Sequence, residues 1–240
     1  MTDRIRKTEV FLREKLGQEN PYYTKHPESR LYRLEHTFRV ARIGAAIARA
    51  EGMDEEAMTI ACLLHDISYC LDFAGPEDWK NHGRNSARIA RPFLESLGLD
   101  EAVVRDICFG IAIHVDGQAG FEGERTAFAM TVGDADNIDR FDVYRLYETL
   151  ESIGFSRMSL TEKGNHVKKT RERLEKFLEM PFATPSATAL WRERIRCYLD
   201  FYRRLAEQLA ASTGYLEEQT APCGPAGEAD DRLMELSGRF

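Results

Sequence analysis

Apolar residues recur along this chain at spacings of three and four almost from end to end, and no stretch sustains a period of two. The pattern predicts an all-α protein. A first amphipathic helix is expected over residues 4–16, followed by an irregular link marked by Asn20-Pro21 and His26-Pro27. A long helix over 29–51 should stop at Gly52; in it His36, Val40, Ile43 and Ile47 share one face. Asp54 is placed to cap the next helix, with Glu55 and Glu56 at its positive end, and that helix runs to His65-Asp66. Residues 68–85 read as a loop, with Gly75-Pro76 and His82-Gly83 as turn signals. A helix carrying Ala87, Ala90, Phe93, Leu94 and Leu97 ends at Gly98, and Pro92 should kink it or delay its start. Asp100 then caps a helix with Val103, Val104, Ile107 and Ile111 on one stripe, which His114 continues. Beyond the glycine-rich loop of Gly117, Gly120 and Gly123, a helix carries Ala127, Met130 and Asp134 on one face.

The later chain offers less. A charged helix over 162–179 precedes Pro181, and a further helix sets Trp191, Ile195, Tyr198, Tyr202, Leu205 and Leu209 on one stripe, suited to the core or to a homodimer interface. From Ser212 the composition turns rich in Gly, Pro and acids (Ala221-Pro222-Cys223-Gly224-Pro225), as loosely ordered segments do. The expected organisation is a helix and link over 1–25, a core over 26–155, helices packing on it over 156–212, and a tail over 213–240.

The chemistry lies in one ordered set: His36, His65-Asp66, His82, His114, Asp134. His and Asp are the side chains that bind a borderline divalent metal and hold a reactive water. Asp66 follows the apolar run Thr59-Ile60-Ala61-Cys62-Leu63-Leu64, so an ionised carboxylate enters surroundings where it is costly unless a cation meets it. All but His82 sit on or beside inward-facing helical stripes, and His82 falls on the expected loop.

Composition narrows the options. A net charge of −7 argues against a bulk grip on nucleic acid, while leaving room for a local basic pocket. The five cysteines, Cys62, Cys70, Cys108, Cys197 and Cys223, are scattered, with no C-x-x-C pair, and read as reduced thiols. No apolar run approaches the roughly 20 residues of a membrane span, and the N-terminus leads into no signal region. A cytoplasmic protein without a membrane partner is expected.

The order H…HD…D, with Glu35-His36-Thr37-Phe38-Arg39-Val40-Ala41, Ala61-Cys62-Leu63-Leu64-His65-Asp66-Ile67 and Gly133-Asp134-Ala135-Asp136-Asn137-Ile138-Asp139 around it, resembles the HD-domain metal-dependent phosphohydrolase superfamily over about residues 30–145. The resemblance implies a helical bundle with His36, His65, Asp66 and Asp134 as metal ligands. It implies for His82 and His114 either a second ion or contacts to phosphate. The Asp134-Ala135-Asp136 segment further resembles small bacterial HD hydrolases acting on nucleotides. One departure stands out: such relatives often carry glycine soon after the HD pair, where this chain reads Ile67-Ser68-Tyr69-Cys70. No Gly-Tyr-Pro segment follows, which disfavours the cyclic di-nucleotide branch.

The expected cofactor is one or two divalent ions, Mn, Fe, Co, Ni or Zn, with Mg suited less well to the histidines. The expected partner is a small phosphorylated substrate, above all a nucleotide. Catalytic roles are expected for Asp66, as a ligand able to reach one or two ions, for His82 and His114, and for Lys80 and Arg84 on a loop that could close over substrate. Arg33 and Arg39, one turn to either side of His36, suit phosphate or a solvated helix face. Asp136 and Asp139 suit support of the ligands, or Asp139 the start of the next helix. His26, His166 and the Lys168, Lys169, Arg171, Arg173 cluster read as surface. Two other functions share these residues: a non-catalytic metal- and nucleotide-binding sensor, and a di-iron oxygenase.

Overall fold

The computed structural model describes residues 1–216, of which 213–216 by backbone alone. The expected tail therefore lies, from residue 217 on, outside the described residues. Every regular element among them is helical: α1 (Asp3–Leu16), α2 (Pro21–Lys25), α3 (Pro27–Glu51), α4 (Glu55–Leu64), α5 (Pro76–Ser96), α6 (Glu101–Ile113), α7 (Ala127–Asp139), α8 (Val143–Ser152), α9 (Leu160–Leu178) and α10 (Pro185–Leu216), with short 3-10 turns at Ile67–Cys70 and Phe155–Arg157. No helix among them is long and apolar enough to cross a membrane.

Local chemistry accounts for most boundaries. Thr2 caps α1 through the Ile5 N–H at 3.3 Å, and Asp54 caps α4 through the Ala57 N–H at 2.9 Å. Gly52 ends α3 at φ 68°, a left-handed conformation that favours glycine. Asp100 starts α6 with its carbonyl, which accepts the Val104 N–H at 3.0 Å, but its side chain makes no cap bond.

The reading of 68–85 as a loop is corrected. Only the stretch around residues 71–75 is irregular, and α5 begins at Pro76 and runs unbroken through His82, Gly83 and Pro92. Pro76 suits the first helical position, where no N–H is needed, and Glu77 and Asp78 complement the dipole in the first turn.

Two compact units divide the described residues, 1–139 with 182–187, and 140–181 with 188–216. In the first, α3 packs on α4 and α7, α5 on α6, and α6 on α4 and α7, while α1 lies on α4. Its core joins Leu12, Leu16, Val40, Met58, Ile60, Leu63, Leu64, Leu94, Ile107 and Ile111. α4 is buried on all sides, so the chain emerges from it at His65-Asp66 inside the bundle.

In the second unit, Ser159 and Glu162 form a capping box at the start of α9. Phe141, Phe177, Trp191 and Tyr198 cluster there, and the Trp191 indole N–H donates to the Phe177 carbonyl at 2.7 Å. Trp191, Ile195, Tyr198 and Tyr202 are buried within the chain.

Candidate metal centre

His36 comes from the buried face of α3, His65 caps the end of α4, Asp66 follows it, His82 lies in α5, and His114 caps the end of α6. Three of the imidazoles are oriented by one device. The ring N–H at Nδ1 donates to the carbonyl three residues earlier: His65 to Cys62 at 2.7 Å, His114 to Ile111 at 2.6 Å, and His82 to Trp79. For His65 and His114 those acceptors are carbonyls that a helix end leaves free. A carbonyl can only accept, so Nδ1 carries a proton, and in the neutral ring Nε2 is then left with a lone pair. His36 is held differently, with Nδ1 donating to Asp139 Oδ2 at 2.7 Å; Arg39 in turn grips Asp139 at 2.7 and 3.1 Å.

The Nε2 atoms converge on Asp66. Its Oδ2 lies 3.4 Å from His65 Nε2 and 3.8 Å from His36 Nε2, and its Oδ1 lies 3.3 Å from His82 Nε2 and 3.5 Å from His114 Nε2. One carboxylate thus serves two trios, His36–His65–Asp66 and Asp66–His82–His114. Asp136 Oδ1 joins the first, 3.1 Å from His36 Nε2 and 3.9 Å from His65 Nε2.

The donors fit a divalent cation. His65 Nε2 and Asp66 Oδ1 are buried polar atoms without a hydrogen-bond partner among the described residues, a costly state that a bound cation relieves. His82 and His114 face each other through Nε2 at 3.1 Å, where two lone pairs repel unless a proton or cation lies by them. Neutral imidazole with carboxylate is the donor set of Mn, Fe, Co, Ni or Zn.

The surroundings shift the charge states in different directions. Burial alone would raise the Asp66 carboxyl, but its neighbours, His65 and the Arg33 guanidinium, outweigh it and hold the group well below the ordinary range. Burial pushes His82 toward its neutral form against the pull of Asp66. At His36 burial acts the same way, but hydrogen bonds to Asp136 and Asp139 prevail and raise it.

Several expected residues meet other partners. Asp134 is buried in α7, but its Oδ2 accepts the Ala183 N–H at 2.8 Å, and the residue that meets His36 is Asp136. Positions two apart on a helix differ by about 200° in direction, so the two carboxylates leave α7 on different sides. Arg84 is engaged by Asp116 at 2.8 and 3.0 Å and by the Gln118 carbonyl at 2.8 Å, and Lys80 is exposed. Both sit on helix α5, so the closing loop expected of them is absent.

Arg33 is neither a phosphate-only group nor a solvated one. Its Nη1 donates to Asp66 Oδ2, and its guanidinium lies 3.5 Å above the Tyr69 ring centre. A charged residue one turn before His36 on an otherwise buried face was the signal for it.

Gly83 lets the second trio assemble. A Cβ there would sit 2.8 Å from the Ala112 carbonyl oxygen, 3.0 Å from that of Ile111 and 3.1 Å from His114 Nδ1. Gly83→Ala is therefore expected to force α5 off α6 at an overpacking cost of about 1–3 kcal/mol. Thermal denaturation reads this as a lowered Tm; an unchanged Tm would mean the crossing has slack.

The family model for the HD domain matches residues 33–140. Among solved structures, the chain is similar in fold to a predicted HD superfamily hydrolase from an uncultured Thermotogales bacterium, at 19% identity and a TM-score of 0.57, over 85% of this chain and 91% of that one. No curated protein matches the chain.

Proposed function

We propose, for a chain that belongs to the HD-domain superfamily through residues 33–140, the function of a metal-dependent phosphohydrolase acting on a small phosphorylated compound such as a nucleotide. The observation that carries this reading is the pair of unpartnered buried donors, His65 Nε2 and Asp66 Oδ1, at the meeting point of four imidazoles. The predicted hydrolase from the Thermotogales bacterium adds weight as a relative in fold.

His36, His65, Asp66 and Asp136 would hold one ion. Asp66 Oδ1 with His82 and His114 would hold a second, or the two histidines would meet the substrate directly. Bound metal supplies a water of lowered pKa and offsets charge on the phosphoryl group. The protein's own groups do the rest. Asp139 fixes the His36 ring and its proton, and the Cys62 and Ile111 carbonyls do so for His65 and His114. Arg33 is a guanidinium already at the site, with the fork that suits phosphate oxygens. A His82 or His114 that is not ligating can pass a proton to the leaving oxygen.

The test is metal analysis of the purified full chain, then titration with Mn, Fe or Ni, and then a phosphate-release screen over nucleotides and phosphate esters. Between about one and two ions per chain are expected, with release that chelator abolishes. A chain that binds none of these metals ends the reading. A chain that binds them yet releases phosphate from nothing is a binding protein.

A further inference from the structure

The segment between Asp66 and His82 contributes three aromatic rings beside the metal centre. Tyr69 comes from the 3-10 turn that follows Asp66, Phe73 from the irregular stretch after it, and Trp79 from the start of α5. The Tyr69 ring centre lies 4.9 Å from Phe73 and 5.6 Å from Trp79, and Phe73 lies 5.1 Å from Trp79. The contacts are tilted or edge-on, at 40°, 65° and 90°, and an edge-on neighbour covers less of a ring face than a stacked one.

This group is continuous with the donor cluster. Tyr69 lies 5.3 Å from the His82 ring and carries the Arg33 guanidinium on its face, while Arg33 bonds Asp66. The outer side is open: Trp79 is 36% exposed and neighbouring Leu71 is 42% exposed. A single exposed apolar residue needs no explanation. Three touching rings, running from a buried cation and a candidate metal ligand out to solvent, form a graded surface: charge at the inner end, π-faces at the outer.

We propose that Tyr69, Phe73 and Trp79 form a wall that receives a planar aromatic ring of the substrate, so that the compound hydrolysed is a nucleotide and not a ring-less phosphate ester such as a sugar phosphate. This rests on the hydrolase reading and adds to it the part of the substrate that is not phosphate. The phosphate end meets Arg33 and the cation that the donor cluster would hold, and the base lies against Trp79 and Phe73. Every base offers a π-face, so such a wall selects for a ring without reading which base it is.

The experiment uses the full chain loaded with Mn and compares adenosine 5′-monophosphate with ribose 5-phosphate, alongside quenching of tryptophan emission by adenosine. Of the two tryptophans, Trp191 is fully buried and Trp79 is part-exposed, so ring stacking reports through Trp79. The expected result is a higher kcat/KM for the nucleotide, quenching by adenosine, and loss of that preference by about 5- to 150-fold in Trp79→Ala. Trp79→Phe, which keeps a π-face, should retain most of it, and this separates loss of the ring from loss of the fold. Equal kcat/KM for both compounds, or a preference unmoved by Trp79→Ala, overturns the wall while phosphate release keeps the hydrolase reading alive. With phosphate release from neither compound the quenching decides: absence of quenching by adenosine overturns the wall, and quenching lost in Trp79→Ala supports it, while the hydrolase reading is left to the wider screen.

Discussion

Asp66→Ala should lower metal-dependent turnover by at least about 10³-fold, because it removes a ligand and neutralising charge worth several kcal/mol of transition-state stabilisation, at roughly 1.4 kcal/mol per tenfold. Asp66 stands among four imidazoles and a guanidinium. Its two oxygens face two histidines each, and Oδ2 also takes Arg33. The substitution has a second effect. Arg33 is left as a buried guanidinium without its counter-charge, and breaking a buried pair from one side costs about 3–5 kcal/mol. A fall in Tm alone could thus imitate a loss of chemistry. The double variant Arg33→Met with Asp66→Ala separates the two. It removes both charges, and a flexible apolar chain can still lie on Tyr69. Its Tm is expected to recover much of the loss while its turnover and bound metal stay low. Recovery of activity along with Tm would show that Asp66 serves the fold and not the ion.

How much of this was legible in the sequence depended on how one-sided each helix is. α3 and α6 have apolar stripes, so the inward direction of His36 and His114 could be read from the spacing. The end of α4 could be read because Asp66 follows a run of buried residues. α5 was hidden up to His82 because residues 77–85 are almost all polar, and the Gly83 beside His82 looked like a turn. Its glycine is there for close approach of the α6 carbonyls, where an added Cβ would come within 2.8 Å of an oxygen, and no local pattern contains that approach. The start signal was present all the same: Pro76 followed by two acids is a helix N-terminus. The carboxylate partners of Arg33 and Arg84 were hidden for a related reason. Whether an arginine meets solvent, phosphate or a carboxylate is decided by partners such as Asp66 and Asp116, distant in sequence.

The contrast between Asp134 and Asp136 gives the second large effect. α7 is buried nearly all round, from Thr131 through Asp136 and again at Ile138 and Asp139, so periodicity cannot say which of its carboxylates faces α3. Geometry can. Asp136 meets His36 Nε2, and Asp139, one turn on and on the same side, meets His36 Nδ1; both edges of one imidazole are held by one face of α7. Asp134 lies on another face and accepts the N–H of Ala183, two residues before α10 begins at Pro185. Asp136→Ala is therefore expected to cut metal affinity by well over the 10–100-fold typical of a lost supporting partner, and turnover with it, since it removes a carboxylate aimed at the site. Asp134→Ala should leave the metal in place. It strips the Ala183 N–H of a buried acceptor, at a cost of about 1–3 kcal/mol, seen as a lowered Tm. Metal titration and thermal denaturation of the two variants side by side decide the matter. If Asp134→Ala loses the ion and Asp136→Ala keeps it, α7 is rotated in the working protein relative to this structure, and the sequence-based choice of ligand was the right one.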